Sequence, residues 1–347
     1  MRILLSADPI LPVPPSGYGG IERIVDALAR ALRARGHAVG LLAKAGSTCE
    51  VDALFSWPGA EVGGRVDTVR NALALRRAAG KFRADLVHSF ARLSYLLPLL
   101  PDSLPKIMSY QRHLSPGQTR LAQRLARRGT LRFTACSEFI AAQGRRDGGD
   151  WTAIPNFVDP SCIPFSPAAP DHAPLLFLSR IESIKGPDIA IAIARRSGRR
   201  LLLAGNAPRS GPEAEFFTRE IAPLLGKDGI EWVGEVGDEM KFRLLSQAAA
   251  LLVPIRWDEP FGIVFAEALA AGTPVISCAR GAVPEIVRHG KSGWLIPEGD
   301  AAAGAAAVAR LSELDRAACR RDAVERFGVG PCTDLYLALY HRALHRT

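Results

Sequence analysis

Short apolar strands alternate with amphipathic helices along nearly the whole chain, and this alternation limits the fold more than any other feature. "RILLSA" reads as a strand, "GIERIVDALARALRARG" as a helix and "HAVGLLAK" as a strand. "DTVRNALALRRAAGKF" is a helix, while "DLVHSF" and "KIMSY" are strands. The basic stretch "TRLAQRLARRG", the strand "RFTACS" and a helix opening at "SEFIAAQGR" follow. Strands this short and apolar need cover on both faces, which helices in alternation supply; the expected result is a parallel sheet. Residues 155–174, "PNFVDPSCIPFSPAAPDHAP", are proline-rich and aperiodic and read as a linker. A second alternation runs from "LLFLSR" to "SGWLI". The expected fold class is therefore α/β: two doubly wound, Rossmann-like parallel sheets, 1–165 and 166–330, facing across a cleft. Open parallel sheets bind ligands beyond the carboxyl ends of their strands.

Length agrees, since 347 residues divide into domains of about 150 each. The chain is 48% hydrophobic and 23% charged, as an ordinary globular protein is, so two cores can be filled. No apolar run approaches the roughly 20 residues of a membrane span. "MRILLSADPI" is too short in its apolar part for a signal peptide and reads as a buried strand. The six cysteines, at 49, 136, 162, 278, 319 and 332, form no Cys-x-x-Cys pair. They are expected to be reduced thiols, which places the protein in the cytoplasm. Residues 1–165 carry 22 Lys and Arg against 13 Asp and Glu, whereas 166–347 carry 22 of each. The first half should therefore meet something anionic.

Three motifs could carry chemistry. In "PVPPSGYGGIERIVDALA", Gly17, Gly19 and Gly20 stand between a strand and a helix. Glycines allow close backbone approach and a helix N-terminus offers free N–H groups to an anion, although a flexible turn would look the same. The loop is neither Gly-x-Gly-x-x-Gly nor a Walker loop. In "LSRIESIKGPDIAI", Arg180 follows a strand and Lys185 precedes Gly186 and a helix start. Two cations there suit a diphosphate, though solvated surface cations would read alike. In "EPFGIVFAEALAAGTPVIS", Glu259 and Glu267 are eight apart, a little over two helical turns, which puts both near one face of a helix. A capping carboxylate and a surface glutamate are the plainer reading.

Taken with its surroundings, "VPIRWDEPFGIVFAEALAAGTPVISCARGAVPEIVRHGKSGWLI" resembles the retaining nucleotide-sugar glycosyltransferases of the two-Rossmann-domain (GT-B) type, often called family 4. The resemblance runs nearly end to end. It takes in the N-terminal glycine loop, "IPNFVD", "LSRIESIKGPD", "LLLAGN", "WVGEV" and "GAVPEIVRHGKSGWLI". It implies a hexosyltransferase using a UDP-sugar, with a GDP-sugar as the second choice. It also implies a C-terminal helix, 331–347, crossing back to the first domain. By the resemblance Glu259 hydrogen-bonds donor-sugar hydroxyls and Glu267 the ribose hydroxyls, a task suited to carboxylate acceptors. Backbone N–H groups of Phe261, Gly262 and Ile263 lie near the sugar and phosphates, and a side chain at Gly262 would push the donor away. Arg180 and Lys185 neutralise the leaving diphosphate. Val236 marks the base site, and Gly19 and Gly20 approach the donor. No Asp-x-Asp pair occurs, so no obligatory metal and no cofactor beyond the nucleotide sugar are expected.

The family's donor-side His falls within "KIMSYQRHLSP" here, so that Gln111 or His113 takes its place, with His113 preferred. Gly17, Tyr18, His88 and Gln111 are candidates for the acceptor side. His88 ends a strand, where a packed strand-end histidine is the plainer reading. The acceptor is a lipid-linked, saccharide or small-molecule hydroxyl, and no nucleic acid is expected as a partner. Arg120, Arg124, Arg127 and Arg128 in "TRLAQRLARRGTLRF" are spaced to share a helix face, with Leu121 and Leu125 beside it. Such a helix could lie on an anionic membrane surface at the inner face, or be a solvated arginine face. Two other readings compete: a different enzyme on the same architecture, such as a phosphorylase or sugar epimerase, and a non-enzymatic polyanion-binding protein. A phosphorylase would usually carry a lysine-bound pyridoxal phosphate on a longer chain; a polyanion-binding protein would leave Glu259 idle.

Overall fold

A computed structural model describes residues 1–15, 17, 19–59 and 64–345. The chain forms two units, Met1–Phe157 with Val329–Thr347, and Val158–Gly328. The first unit contains β1 (Arg2–Ser6), α1 (Gly20–Ala34), β2 (Ala38–Ala43), β3 (Ala53–Ser56), α2 (Arg65–Phe82), β4 (Leu86–Ser89), β5 (Lys106–Tyr110), α3 (Gln118–Leu125), β6 (Leu131–Ala135), α4 (Glu138–Asp147) and β7 (Trp151–Ala153). Its sheet is parallel throughout, in the order β3-β2-β1-β4-β5-β6-β7. The second unit contains β8 (Leu175–Leu178), α5 (Pro187–Ser197), β9 (Leu201–Ala204), α6 (Pro212–Phe216), β10 (Ile230–Gly234), α7 (Asp238–Gln247), β11 (Ala250–Val253), α8 (Ile263–Ala270), β12 (Val275–Cys278), α9 (Val283–Ile286), β13 (Gly293–Ile296), α10 (Ala301–Ala309) and α11 (Arg316–Phe327). Its sheet, again all parallel, runs β10-β9-β8-β11-β12-β13. The chain then returns to the first unit through α12 (Val329–Leu344). Both sheets reverse strand order beside their first strand, at β1/β4 and β8/β11, the arrangement that opens a ligand crevice at the carboxyl ends.

The central strands are buried on both faces: Ile3, Leu4 and Leu5 of β1 and Leu175, Leu176 and Phe177 of β8 are almost wholly shielded from solvent. Each such side chain contributes about 1.5–3 kcal/mol relative to leaving it in water. Helix α1 presents Ile24, Val25, Leu28, Ala29 and Leu32 inward at helical spacing. Two strands gave no readable sequence signal. β3 is an edge strand whose residues are only partly covered, and β7 is three residues long.

The proline-rich segment is held on the second unit, and the division falls at 157/158 where the sequence suggested 165/166. The Val158 N–H donates to Phe327 O at 2.8 Å, and Val158 pairs with Gly328. Arg320 donates to the Pro160 and Ile163 carbonyls at 3.0 Å each and lies over the Phe165 ring. One arginine thereby satisfies carbonyls that an aperiodic chain cannot pair by itself.

The basic helix differs from expectation. α3 ends at Leu125, Ala126 is extended, and the Arg127 N–H donates to Leu100 O at 2.8 Å. Arg127 and Arg128 therefore lie beyond the helix, and the four arginines do not share a face. Leu121 and Leu125 are exposed. No helix among the described residues is long and apolar enough to cross a membrane. All six cysteines are free thiols.

Candidate active site

In the second unit the decisive side chains come from the strand ends β8 and β11 and from α7 and α8. A tight turn, 183–185, follows β8, and Gly186 then opens α5 with φ +73°. A Cβ on Gly186 would stand 2.2 Å from Pro254 O, so only glycine lets this turn press on the end of β11. Arg256 clamps the same turn. It forks onto Asp188 at 2.7 and 2.5 Å and donates to Ser183 O at 2.8 Å, and burial costs that guanidinium less than Asp188 returns, so its pKa is raised. From the other side Glu213 accepts the Ser183 N–H and hydroxyl, both at 2.7 Å.

The turn so fixed carries Lys185. Its Nζ donates to Glu259 Oε2 at 2.6 Å and sits 4.6 Å from the centre of the Trp257 ring. The Trp257 indole N–H donates to the same oxygen at 2.8 Å. Lys185 and Glu259 side chains are 11% and 12% exposed, so each is the charge partner the other needs to be buried. Glu259 does not lie on a helix: α8 begins at Ile263. The two glutamates are therefore not on one helical face. Glu259 is wedged in its loop, where Ala282 N–H donates to its carbonyl at 2.8 Å and a Cβ on Gly281 would fall 2.3 Å from that same oxygen.

Glu267 is buried inside α8 and repeats the pattern. Lys241 of α7 donates to Glu267 Oε1 at 2.6 Å and also meets Asp238 at 3.2 Å and the Phe242 ring at 4.3 Å. In both pairs one carboxylate oxygen is left over. Among the described residues nothing bonds Glu259 Oε1 or Glu267 Oε2. A carboxylate held at one oxygen and open at the other is an oriented acceptor for hydroxyl groups.

Gly262 caps α8 at φ +86°, and a Cβ there would strike the Phe265 ring at 2.5 Å. The need for glycine thus arises within the helix start itself, where the sequence suggested a ligand. Phe261 is buried edge-on against Phe327, so only its backbone can serve a ligand. Ile263 opens α8; the Phe265 N–H of its first turn donates to Gly262 O at 3.0 Å, which leaves the Ile263 and Val264 N–H groups without an intrahelical partner. Arg180 is 42% exposed and donates to Glu182 at 2.5 Å. Val236 is half-buried in the connection between β10 and α7.

In the first unit Gly19 caps α1 and Gly20 is its first residue; a Cβ on Gly19 would sit 2.8 Å from Pro15. The Gly17 carbonyl accepts from Arg23 at 2.7 Å. Tyr18 lies outside the described residues. His88 must be corrected. It is wholly buried, with Nδ1 2.6 Å from Tyr340 Oη and Nε2 2.7 Å from Ser109 Oγ. Phe90, Tyr336 and Tyr340 enclose its ring, and burial pushes its pKa down to about 3. It is a neutral core histidine tying β4 to α12, with no face for an acceptor. Gln111 and His113 have different settings. Gln111 is half-buried and its Oε1 has no partner, whereas His113 is exposed, 3.3 Å from Gln143 and edge-on to Phe139 of α4. Sequence reasoning missed Lys241, Trp257, Arg256 and Asp188. The only sequence sign of Lys241 is its place three residues after Asp238, a spacing shared by countless helix surfaces.

Two family profiles match in tandem: Glycosyltransferase Family 4 over residues 18–161 and Glycosyl transferases group 1 over residues 163–326. The chain belongs to the two-domain glycosyltransferases. Its curated relatives include D-inositol 3-phosphate glycosyltransferases. The one from Nocardioides sp. is 35% identical over 161 residues, 42% of this chain and 35% of the relative. The one from Mycolicibacterium smegmatis is 32% identical over 179 residues, 50% of this chain and 41% of the relative. The match thus spans well under half the length of these relatives. Among solved structures, AviGT4, a glycosyltransferase involved in avilamycin A biosynthesis, is 27% identical, with a TM-score of 0.72 and coverage of 100% and 98% of the two chains. HepE from Anabaena, solved with UDP and glucose, shares the fold at 20% identity and a TM-score of 0.73, covering 98% and 99%.

Proposed function

We propose that the protein is a retaining glycosyltransferase that moves a hexosyl group from a nucleoside diphosphate sugar, a UDP-sugar first and a GDP-sugar second, to a hydroxyl of a lipid-linked, saccharide or small-molecule acceptor. The observation that carries this reading is the repeated lysine–glutamate pair, Lys185–Glu259 and Lys241–Glu267, each with one carboxylate oxygen open. Glu259 takes the hydroxyls of the donor sugar and Glu267 those of the ribose. Lys185 and Arg180 offset the charge that grows on the departing diphosphate, helped by the N–H groups at the start of α8. The acceptor hydroxyl attacks on the leaving-group side, and a phosphate oxygen takes its proton. No side-chain nucleophile is then needed. The base rests near Val236 and is held through backbone groups. The D-inositol 3-phosphate glycosyltransferase names of the curated relatives support the class of reaction.

A thermal-shift screen of nucleotides and nucleotide sugars tests the reading. A true donor at 100 times its dissociation constant adds about 2.7 kcal/mol of stability. Slow release of UDP or GDP from the same sugar nucleotide is the matching activity. A chain that is stabilised by neither and releases neither is not a glycosyltransferase.

A further inference from the structure

Lys185 is buried with most of its hydrogen-bonding capacity unused. An ammonium has three N–H donors, and among the described residues the one acceptor of Lys185 Nζ is Glu259 Oε2, at 2.6 Å. Nζ also lies over the Trp257 ring, 4.6 Å from its centre. The same ring donates its indole N–H to the same carboxylate oxygen at 2.8 Å. One side chain thus touches both members of the pair, the cation by its face and the anion by its edge.

The segment that carries Trp257 is fixed on both sides. The Arg256 N–H donates to Ile184 O at 2.8 Å, Asp258 accepts from Arg280 at 3.1 Å, and the Ala282 N–H donates to Glu259 O at 2.8 Å. A diphosphate arriving at Lys185 attracts the ammonium away from Glu259. The indole N–H carries no charge and is attracted far less. A carboxylate only 12% exposed that lost its lysine and had no other donor would be costly to keep buried and free to turn. With Trp257 on Oε2 it keeps one donor and its direction, and Oε1 stays open for a hydroxyl. The negative face of the indole meanwhile holds the ammonium without using any of its N–H groups, so two remain for an anion. Lys241–Glu267 lacks this device. Phe242 offers Lys241 a ring at 4.3 Å but no N–H, and Asp238 at 3.2 Å ties Lys241 down a second time. That pair is built to stay closed.

We propose that Trp257 is a positioning residue of the donor site: its ring lets Lys185 pass from Glu259 to the diphosphate, and its indole N–H keeps Glu259 aimed at the sugar as this happens. The inference rests on the glycosyltransferase reading above and deepens it. Of the two lysine–glutamate pairs, the one at Glu259 is exchangeable and the one at Glu267 is fixed.

The test compares the full chain with Trp257→Phe, which keeps a ring and loses the N–H, and with Trp257→Leu, which loses both. Each is titrated by calorimetry with UDP, GDP and a panel of UDP- and GDP-sugars, and tryptophan emission is recorded with the bare nucleotides. In the wild type the preferred bare nucleotide should change the emission, because the ammonium leaves the Trp257 face. That change should be at least halved in Trp257→Phe, although the nucleotide still binds within about threefold of the wild type, which also shows that the variant is folded. Relative to its bare nucleotide, the preferred sugar nucleotide should lose about fivefold or more in Trp257→Phe, since Glu259 is no longer aimed. Trp257→Leu should repeat that loss and weaken the bare nucleotide about threefold or more as well, since nothing then holds the ammonium apart from Glu259. No emission change in the wild type, or one kept at full size in Trp257→Phe, overturns the assignment and leaves the donor reading standing. So does a ratio of sugar nucleotide to bare nucleotide that is the same in all three proteins, or a bare nucleotide that Trp257→Leu binds as tightly as the wild type. Equal losses for both ligands in Trp257→Phe overturn it too, because they mark a collapsed site. A wild-type chain that binds a bare nucleotide but no sugar nucleotide overturns the role given to Glu259 and with it the assignment. One that binds no nucleotide at all removes the transferase reading itself.

Discussion

The strand ends of the two units are finished differently. At the candidate site of the second unit the cations have their anions: Lys185 has Glu259, Lys241 has Glu267, and Arg256 has Asp188 at fork geometry. In the first, Arg112 stands 3.9 Å from Asp8, and Asp8 Oδ1, Arg92 Nε and Gln111 Oε1, which follow three of its strands, are unsatisfied. The charge follows the same division. The first unit has 24 Lys and Arg against 13 Asp and Glu, the second 20 against 22. A site whose groups already hold one another is rigid before its ligand arrives, and the ligand inherits the orientation without ordering the side chains. A site with open valences gains more from its ligand per contact but is shaped by it. Pre-organisation suits the donor, whose diphosphate must be gripped at the moment charge develops.

The comparison can be broken most severely at Lys185. Lys185→Met removes one half of a buried pair and the diphosphate's partner together. Turnover should fall roughly 10²-fold or more, by analogy with the loss of other groups that stabilise developing charge. Arg180→Ala, at an exposed position, should cost less in folding and still slow transfer. Wild-type rates in both variants would remove the phosphate clamp from the second unit.

A smaller effect tests whether the first unit's buried polar groups are satisfied away from its strand ends. His88 is neutral when folded, with a pKa near 3 against the ordinary 6.5. The unfolded chain therefore binds a proton there that the folded chain refuses. Stability from this residue is full above pH 6.5 and is lost as pH falls from 6.5 toward 3, by up to about 1.4 kcal/mol per pH unit. His88→Gln should cost about 1–3 kcal/mol at neutral pH through the stranded Tyr340 and Ser109 hydroxyls. Its unfolding free energy, measured in urea across that range, should fall less steeply than that of the wild type. Parallel slopes would show that His88 is not the titrating group.

The first unit's excess charge should give a weaker signal still. With only Arg120 and Arg124 on the α3 helix, attraction to an anionic leaflet is limited to about 2 kcal/mol, at about 1 kcal/mol per basic residue. Flotation should show weak binding to anionic vesicles in low salt. That binding should vanish when 1 M salt cuts the screening length to about 3 Å, and in a Leu121→Ser, Leu125→Ser variant. Binding that survives both changes must use another surface. Smallest of all, excess EDTA should leave transfer unchanged. Loss of activity restored by manganese would mean that the diphosphate is held by a metal the lysine pairs do not replace.

How much of this could be read from the sequence differs by element. The central strands were legible because burial on both faces leaves an unbroken apolar run, as in "RILLS" and "ALLV". β3 was not, because an edge strand is half wet and its apolar pattern is correspondingly broken. Glu259, Glu267, Arg180 and Lys185 were legible through their motif. Their partners were not, since the contacts of Lys185 with Glu259 and of Arg256 with Asp188 join residues 74 and 68 positions apart. Nothing local marks such a pair. His88 misled for a related reason: the hydroxyl that neutralises its functional appearance belongs to Tyr340, 252 residues away. Likewise the end of α3 is set by the Arg127 contact with Leu100, which helical spacing does not reveal.

The pairing of Val158 with Gly328 has a consequence for how the chain finds its fold. Seen from the first unit, residues 158–328 are one insertion between Phe157 and α12. Bringing the ends of a disordered loop that long together costs about 4–5 kcal/mol in chain entropy, by the logarithmic loop-closure law. Once the second unit has folded, its first and last residues are already hydrogen-bonded neighbours, and that cost has been met by its own core. α12 then finds α1 and His88 as if it followed Phe157 after a short turn. The order of assembly is thereby biased: the inserted unit acts as the clasp that makes the discontinuous one effectively continuous.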